Sequence, residues 1–265
     1  MSTGEHNEGP GPRPGNGAGL LDGDRVIVTG GSGGIGQGIA EVAGREGARV
    51  AFTWNRSTEG RDATEAVIRE HGAECLAIQA DLRDPGAADA IVAAVVRAWD
   101  GVDVLINNAA VSESVPFILL DDDDIGDLFA INVMAVFRLC RAVCRPMIRQ
   151  KYGRIVNVSS IAGSRAIPGP VHYAASKGAI DGLTRSLAHE VGPYGILVNA
   201  IAAGIFAGGM RATIPEHHQR RYLDACALSR HGQPRECGEL AIHLASRHNT
   251  YTNGAVIIQD GGTLA

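Results

Sequence analysis

Tyr173 and Lys177 stand four positions apart in the run Tyr173-Ala174-Ala175-Ser176-Lys177. On a helix, positions i and i+4 share a face, so the phenol and the ammonium can enter one cleft. A free tyrosine titrates near ~10, too high for ready proton exchange at neutral pH. A neighbouring ammonium favours the phenolate, lowers that pKa and makes the phenol a better acid. The expected chemistry is proton transfer to or from a substrate oxygen. Taken alone, the pair fits a solvated helix face equally well. Ser159-Ser160, which closes a short apolar run, and Asn132, inside a longer helical stretch, are further polar residues upstream.

A second constellation is Thr29-Gly30-Gly31-Ser32-Gly33-Gly34-Ile35-Gly36, which follows a β-branched run and leads into a helical pattern. Glycine permits a tight strand-to-helix turn and lets a pyrophosphate approach the backbone. The free N–H groups and partial positive charge of the helix start then face the phosphates. Gly31, Gly33 and Gly36 satisfy GxGxxG, a weak motif alone but stronger with a strand before it and a helix after it. The expected phosphate contacts are Gly30, Ser32, Gly33, Gly34, Ile35 and Gly36.

These residues need a frame. Short β-branched runs fall at Arg25–Thr29, Arg49–Thr53, Cys75–Ile78, Val102–Ile106, Arg154–Val158, Ile196–Ala200 and Ala255–Ile258. Between most of them lie Ala-rich stretches with helical spacing, at Ile35–Glu46, Ala63–His71, Ala87–Trp99, Ile131–Gln150 and Tyr173–Val191. Strands apolar on both faces and separated by helices predict a parallel sheet covered on both sides. The expectation is therefore a doubly wound α/β fold with seven parallel strands (a Rossmann fold). In such sheets ligands bind beyond the carboxyl ends of the strands, and the unusual residues do follow predicted strands.

The same glycines fit TGxxxGxG through Thr29, Gly30, Gly34 and Gly36, and with Ser160, Tyr173 and Lys177 the chain resembles the short-chain dehydrogenase/reductase family from about Arg25 to Gly262. Its nearest resemblance is to the 3-oxoacyl-acyl-carrier reductase branch. The resemblance implies four catalytic residues. Tyr173 exchanges the proton, Ser160 hydrogen-bonds the carbonyl, and Lys177 lowers the phenol pKa and binds the nicotinamide ribose. Asn132 would hold a water that links Lys177 to solvent. It also implies cofactor contacts at Asp81 and Leu82 (the adenine pair) and at Asn108, Ala109 and Ala110, where Ala110 replaces the last glycine of the family's NNAG. Gly204 and Phe206 would sit beside the carboxamide, in a run where Ala203 and Gly208 replace the family's Pro and Thr.

For the cofactor type, NAD-preferring folds place Asp or Glu about 20 residues beyond the glycines, on the ribose 2′-OH. Here the second strand ends Phe52-Thr53-Trp54-Asn55-Arg56, with Trp54 where that acid would stand. Arg56 can pair with a 2′-phosphate, which a carboxylate would repel. The expectation is NADP(H) rather than NAD(H), with Asn55 and Arg56 among its contacts. Gly33 stands where NADP enzymes of the family often carry a basic residue.

The leading functional expectation is a ketoreductase of an oxoacyl or polyketide-like secondary-metabolite substrate. An alcohol or sugar dehydrogenase running oxidatively is the second reading, and a non-catalytic dinucleotide-sensing module the third. Family members that meet a carrier protein use basic residues at helix ends. The matching positions are Lys151 and Tyr194, so one is lost and a carrier-bound substrate is left open. The usual assembly of the family is a homotetramer.

The bulk composition bounds these readings. A chain of 265 residues suits one large domain, here 23–265 with a substrate lid near 205–231. Residues 1–22, rich in Gly and Pro without an apolar stretch or basic start, read as a mobile tail and not a leader or a span. The net charge of −5 gives no footprint for nucleic acid or anionic membrane. Five cysteines without CxxC spacing read as reduced thiols in a cytoplasmic protein. They offer no zinc site, and no HxxxH or HExxH occurs among nine histidines, so no metal is expected. Asp121–Asp124 reads as a helix start whose negative charge suits the dipole.

Overall fold

The computed structural model describes residues 19–164 and 169–263. Its strands and helices alternate as β1 (Arg25–Val28), α1 (Gly34–Arg45), β2 (Arg49–Trp54), α2 (Thr58–Glu70), β3 (Cys75–Gln79), α3 (Ala87–Trp99) and β4 (Val104–Asn107). The second half runs α4 (Asp122–Phe129), α5 (Ala135–Gln150), β5 (Gly153–Ser160), α6 (Ile161–Ser164), α7 (Val171–Val191) and β6 (Ile196–Ala203). It closes with α8 (Glu216–Ala225), α9 (Pro234–Ala245) and β7 (Val256–Gln259).

The seven strands form one parallel sheet in the order β3-β2-β1-β4-β5-β6-β7. Strand order reverses between β1 and β4, so the loops after these two strands part and leave a crevice at their carboxyl ends. Side chains alternate between faces along each strand. Ile27, Leu105, Ile155 and Val198 therefore enter one core with Ile91, Leu139, Val143 and Ile180 of α3, α5 and α7. Val26, Val28, Val104, Ile106 and Val156 enter the other, with Ile39, Ile68 and Ala241 of α1, α2 and α9. β1, β4 and β5 are buried throughout, as a sheet covered on both sides requires, although β5 buries the polar residues Arg154, Asn157, Ser159 and Ser160. The edge strands β3 and β7 are only partly covered.

Helix α9 was not anticipated. It packs on α1 through two glycines: a Cβ on Gly238 would stand 2.7 Å from the Gly38 carbonyl oxygen. One buried ion pair ties the amino end of β1 to the turn before β4. Arg25 Nε lies 2.6 Å from Asp103 Oδ2, with both side chains at most 5% exposed.

Two expectations need correction. Of the expected tail, residues 1–18 lie outside the described residues, but its last four positions belong to the fold. Leu21 is wholly buried in the α1 layer, and the Leu20 N–H donates to the Glu46 carboxylate at 3.0 Å. The apolar leucine pair outweighs the Gly-rich context there. The helix expected over Ile131–Gln150 is not continuous either. The turn Ala130–Met134 has the wide i→i+5 register of a π-helix and joins α4 to α5. Among the described residues no helix is long and apolar enough to cross a membrane.

Candidate active site

The crevice beyond β1 and β4 is a cleft of about 420 Å³. The expected phosphate turn forms part of its wall. Gly30 and Gly34 have φ of +63° and +52°, the left-handed region that favours glycine. Gly36 answers a different need, since a Cβ there would lie 2.2 Å from the Gly30 carbonyl oxygen. Helix α1 starts without a side-chain cap, which leaves its first N–H groups for an anion. Gly33 faces open space.

The turn is held from both neighbouring strands. Thr53 Oγ1 accepts from the Gly30 N–H at 3.0 Å. Thr29 Oγ1 accepts from the backbone N–H groups of Asn108 and Ala109, at 2.9 and 3.0 Å. The Asn108 amide donates back to the carbonyls of Thr29 and Gly30. Asn108 lines the cleft, and its amide nitrogen is engaged by the turn. Ala110 is not among the non-glycine residues with positive φ, which explains why a methyl is tolerated in place of glycine.

Ser32, Ile35, Asn55, Arg56, Asp81, Leu82, Ala109, Ala110, Gly204 and Phe206 all line the same cleft. Leu82 is mostly core. Asp81 is paired with Arg83 at 2.6 Å, which holds its carboxyl down at about 2. Arg56 makes no hydrogen bond or ion pair with a described residue. With Trp54 at the end of β2, no carboxylate stands there. The uncapped helix start, the Cβ-free turn and a free cation fit a nicotinamide dinucleotide. Among the described residues no group of three or more His, Cys, Asp and Glu is placed to hold a metal.

Of the four expected catalytic residues, Tyr173 and Lys177 line the cleft, whereas Ser160 and Asn132 are buried outside its lining. Ser160 closes β5, while Tyr173 and Lys177 project from the first turns of α7. Lys177 is only 4% exposed, and its Nζ donates to the Val158 carbonyl at 2.7 Å. Burial pushes its pKa down to about 8, a shift that Asp181 opposes. The pKa of the Tyr173 phenol is pushed up by burial, an effect that neighbouring Ser160 opposes.

The Lys177 ammonium lies 5.7 Å from the Tyr173 ring centroid and donates to a backbone carbonyl. The Ser159 hydroxyl donates to Asp181 at 2.6 Å and to the Lys177 carbonyl, although the residue contributes to the cleft wall.

Asn132 sits in the π turn, 1% exposed. Its Oδ1 accepts from the Val111 N–H at 2.8 Å, and its Nδ2 donates to the Val111 carbonyl and to Ser176 Oγ. The side chain thus fastens the loop after β4 to α7 and has little capacity left for a water.

Several residues of the site were missed. Thr53, Val111 and Asp181 act on its geometry through contacts far away in sequence, and no local motif marks them. The loop Gly208-Gly209 approaches Gly34, whose Cβ would meet Gly209 Cα at 3.1 Å. A second cleft of about 530 Å³ adjoins the first, sharing Asn55, Arg56, Val111 and Ile131. His172, 5% exposed, lines it opposite the start of α4. The acidic run there forms a capping box, Asp124 N–H donating to Asp121 at 2.8 Å, as its helix-start reading requires.

A family model described as enoyl-(acyl carrier protein) reductase matches residues 30–263. The chain is 32% identical to the 3-oxoacyl-[acyl-carrier-protein] reductase FabG of Chlamydia trachomatis, over 92% of this chain and 99% of that one. It is 38% identical to the oxidoreductase UcpA of Salmonella typhimurium, over 92% and 96%. A short-chain dehydrogenase from Burkholderia cenocepacia, solved in complex with NADP, superposes with a TM-score of 0.86 at 34% identity, over 93% of this chain and 100% of that one. The chain belongs to the short-chain dehydrogenase/reductase family, in the branch similar to the 3-oxoacyl-acyl-carrier-protein reductases.

Proposed function

We propose that the protein is an NADP(H)-dependent ketoreductase that interconverts a ketone and a secondary alcohol. The observation that carries this is that Tyr173 and Lys177 line the same cleft as the glycine turn. NADPH, when bound, supplies a hydride to the carbonyl carbon. Ser160 orients the carbonyl oxygen, and Tyr173 gives it a proton. A phenol whose pKa is raised by burial is fully protonated at neutral pH, as a proton donor must be. Lys177, an ammonium below about 8, supports the phenolate that remains and binds the ribose. Asn132 keeps the Val111 loop and α7 together so that these groups stay aligned.

The NADP(H) preference rests on Arg56 and on the absence of a carboxylate at Trp54. The relatives named for oxoacyl carriers and the intact catalytic set favour an oxoacyl or polyketide-like ketone. Lys151 ends α5 and Tyr194 follows α7 half exposed, so only one basic residue would meet a carrier. We assign the substrate lid to 205–231, which contains α8 and the Gly208-Gly209 approach to the phosphate turn. The five free thiols support a reducing, cytoplasmic compartment. A homotetramer is supported by exposed Met134 and Phe137 on the α5 side and half-exposed Ile258 on the edge strand.

The test is nicotinamide oxidation across a panel of 3-oxoacyl thioesters, cyclic ketones, aromatic polyketides and enoyl thioesters, with NADPH and NADH compared. Ketone-dependent oxidation of NADPH is expected. Turnover of enoyl thioesters alone would overturn the ketone assignment, and binding without any turnover would favour a sensing role.

A further inference from the structure

The 2′-phosphate of NADP(H) carries nearly two negative charges, and the phosphate turn itself offers no side-chain cation between Gly30 and Gly36. Arg56 is exposed and stands alone on its loop. A single mobile guanidinium is a weak basis for discriminating NADP(H) from NAD(H), because an exposed ion pair contributes only about 0–1 kcal/mol. The rest of the site must come from elsewhere in the fold.

Helix α2 supplies it. Its first turn is fastened to the phosphate turn at several points. Ser57 Oγ caps the helix by accepting from the Gly60 N–H at 3.0 Å. Gly60 lies so close to the turn that a Cβ there would stand 2.1 Å from the Ser32 carbonyl oxygen. Thr64 Oγ1 donates to the Gly31 carbonyl at 3.0 Å. Arg61 projects from this anchored turn, and its guanidinium lies over the Trp54 indole, 5.0 Å from the ring centroid. Trp54 is the residue at the end of β2, where an NAD-type site places its ribose-binding acid. Its indole lines the cleft next to Asn55 and Arg56. A guanidinium held over an aromatic face by a cation–π contact loses less freedom when it binds an anion, and its planar fork matches phosphate oxygens.

Resting on the NADP(H) reading, we infer that Arg61 and Arg56 together hold the 2′-phosphate, with the Trp54 indole as the platform that fixes Arg61. Arg61 takes the place of the cation missing at Gly33. The competing partner of Arg61, Asp62 at 2.6 Å, is an exposed neighbour that a phosphate can displace. Trp54 then has two tasks: it removes the carboxylate that would repel the phosphate, and it positions the arginine that attracts it.

The inference is tested by calorimetric binding of adenosine 2′,5′-bisphosphate and adenosine 5′-monophosphate, which differ only in the 2′-phosphate. Wild type is expected to prefer the bisphosphate. Arg61→Gln is expected to weaken the bisphosphate by roughly tenfold, the effect of losing one charge-assisted hydrogen bond. Binding of the monophosphate should stay within about twofold, since no contact to it is removed. Arg61→Lys, which keeps the charge without the stacking fork, should fall between. The double variant Arg56→Gln/Arg61→Gln should abolish the preference. Thermal unfolding of each variant shows whether the fold is kept.

If Arg61→Gln leaves the preference intact, or weakens both ligands equally, Arg61 is not part of the site and the inference is overturned while the NADP(H) reading stands. If wild type itself shows no preference, the NADP(H) reading falls and this site falls with it.

Discussion

The Lys177 ammonium donates to the carbonyl of Val158 at 2.7 Å, two residues before Ser160. This bond pins the first turns of α7, which carry Tyr173, to the end of β5, which carries Ser160. Ser159 reinforces it from the other side by donating to Asp181, one turn after Lys177. Both contacts are buried, where hydrogen bonds to charged groups contribute about 1.5–3 kcal/mol each.

The charge on Lys177 sets a pH limit. Burial has brought its pKa down to about 8, so the ammonium is present below that value and lost above it. Reductive kcat is therefore expected to fall as pH rises through about 8. Asp181→Asn removes the carboxylate that supports the ammonium and should move this limb to lower pH. A pH profile of kcat checks both, and a limb that stays in place in the variant would exclude Asp181 from this role.

Gly36→Ala tests the phosphate turn. A Cβ there would lie 2.2 Å from the Gly30 carbonyl oxygen, so the backbone must move. Dinucleotide binding should weaken by at least ~tenfold, in line with a 1.4 kcal/mol loss of alignment. Fluorescence titration with NADPH measures it, and unchanged affinity would show that the turn does not bind phosphate.

Asp103→Ala tests the ion pair under the sheet. It leaves Arg25 buried without its carboxylate partner. Removing one partner of such a pair costs about 3–5 kcal/mol. Denaturant unfolding should show that loss, and a change below ~1 kcal/mol would place the pair among energetically neutral contacts.

Phe137→Glu addresses assembly. Phe137 is 50% exposed on α5, beside exposed Met134. A carboxylate there should split the proposed tetramer, seen by sedimentation or light scattering. A variant that keeps the wild-type mass would remove this face from the interface.

The sheet, its parallel strands and most helices were legible because apolar runs and helical spacing are local properties. Tyr173, Lys177 and the glycine turn were legible because their chemistry is compressed into short motifs. Asn132 was read on a continuous helix but sits in a π turn, and its bonds to Val111 span 21 positions, which no local pattern records. Arg61 was invisible for a similar reason: its meaning comes from stacking on Trp54 of a different element. Leu21 was lost because its neighbours are Gly-rich and its burial is tertiary. Helix α9 did carry a local sign, the Gln233–Glu236 capping box with Pro234 at the first position, that could have revealed it.

The most direct test is ketone-dependent NADPH oxidation by wild type and Tyr173→Phe, with NADPH binding measured in parallel. The account expects turnover in wild type, a loss of at least ~100-fold in the variant, as for a missing general acid, and NADPH affinity within about threefold. A variant that turns over ketones at the wild-type rate would contradict the account, because Tyr173 would then not be the proton donor.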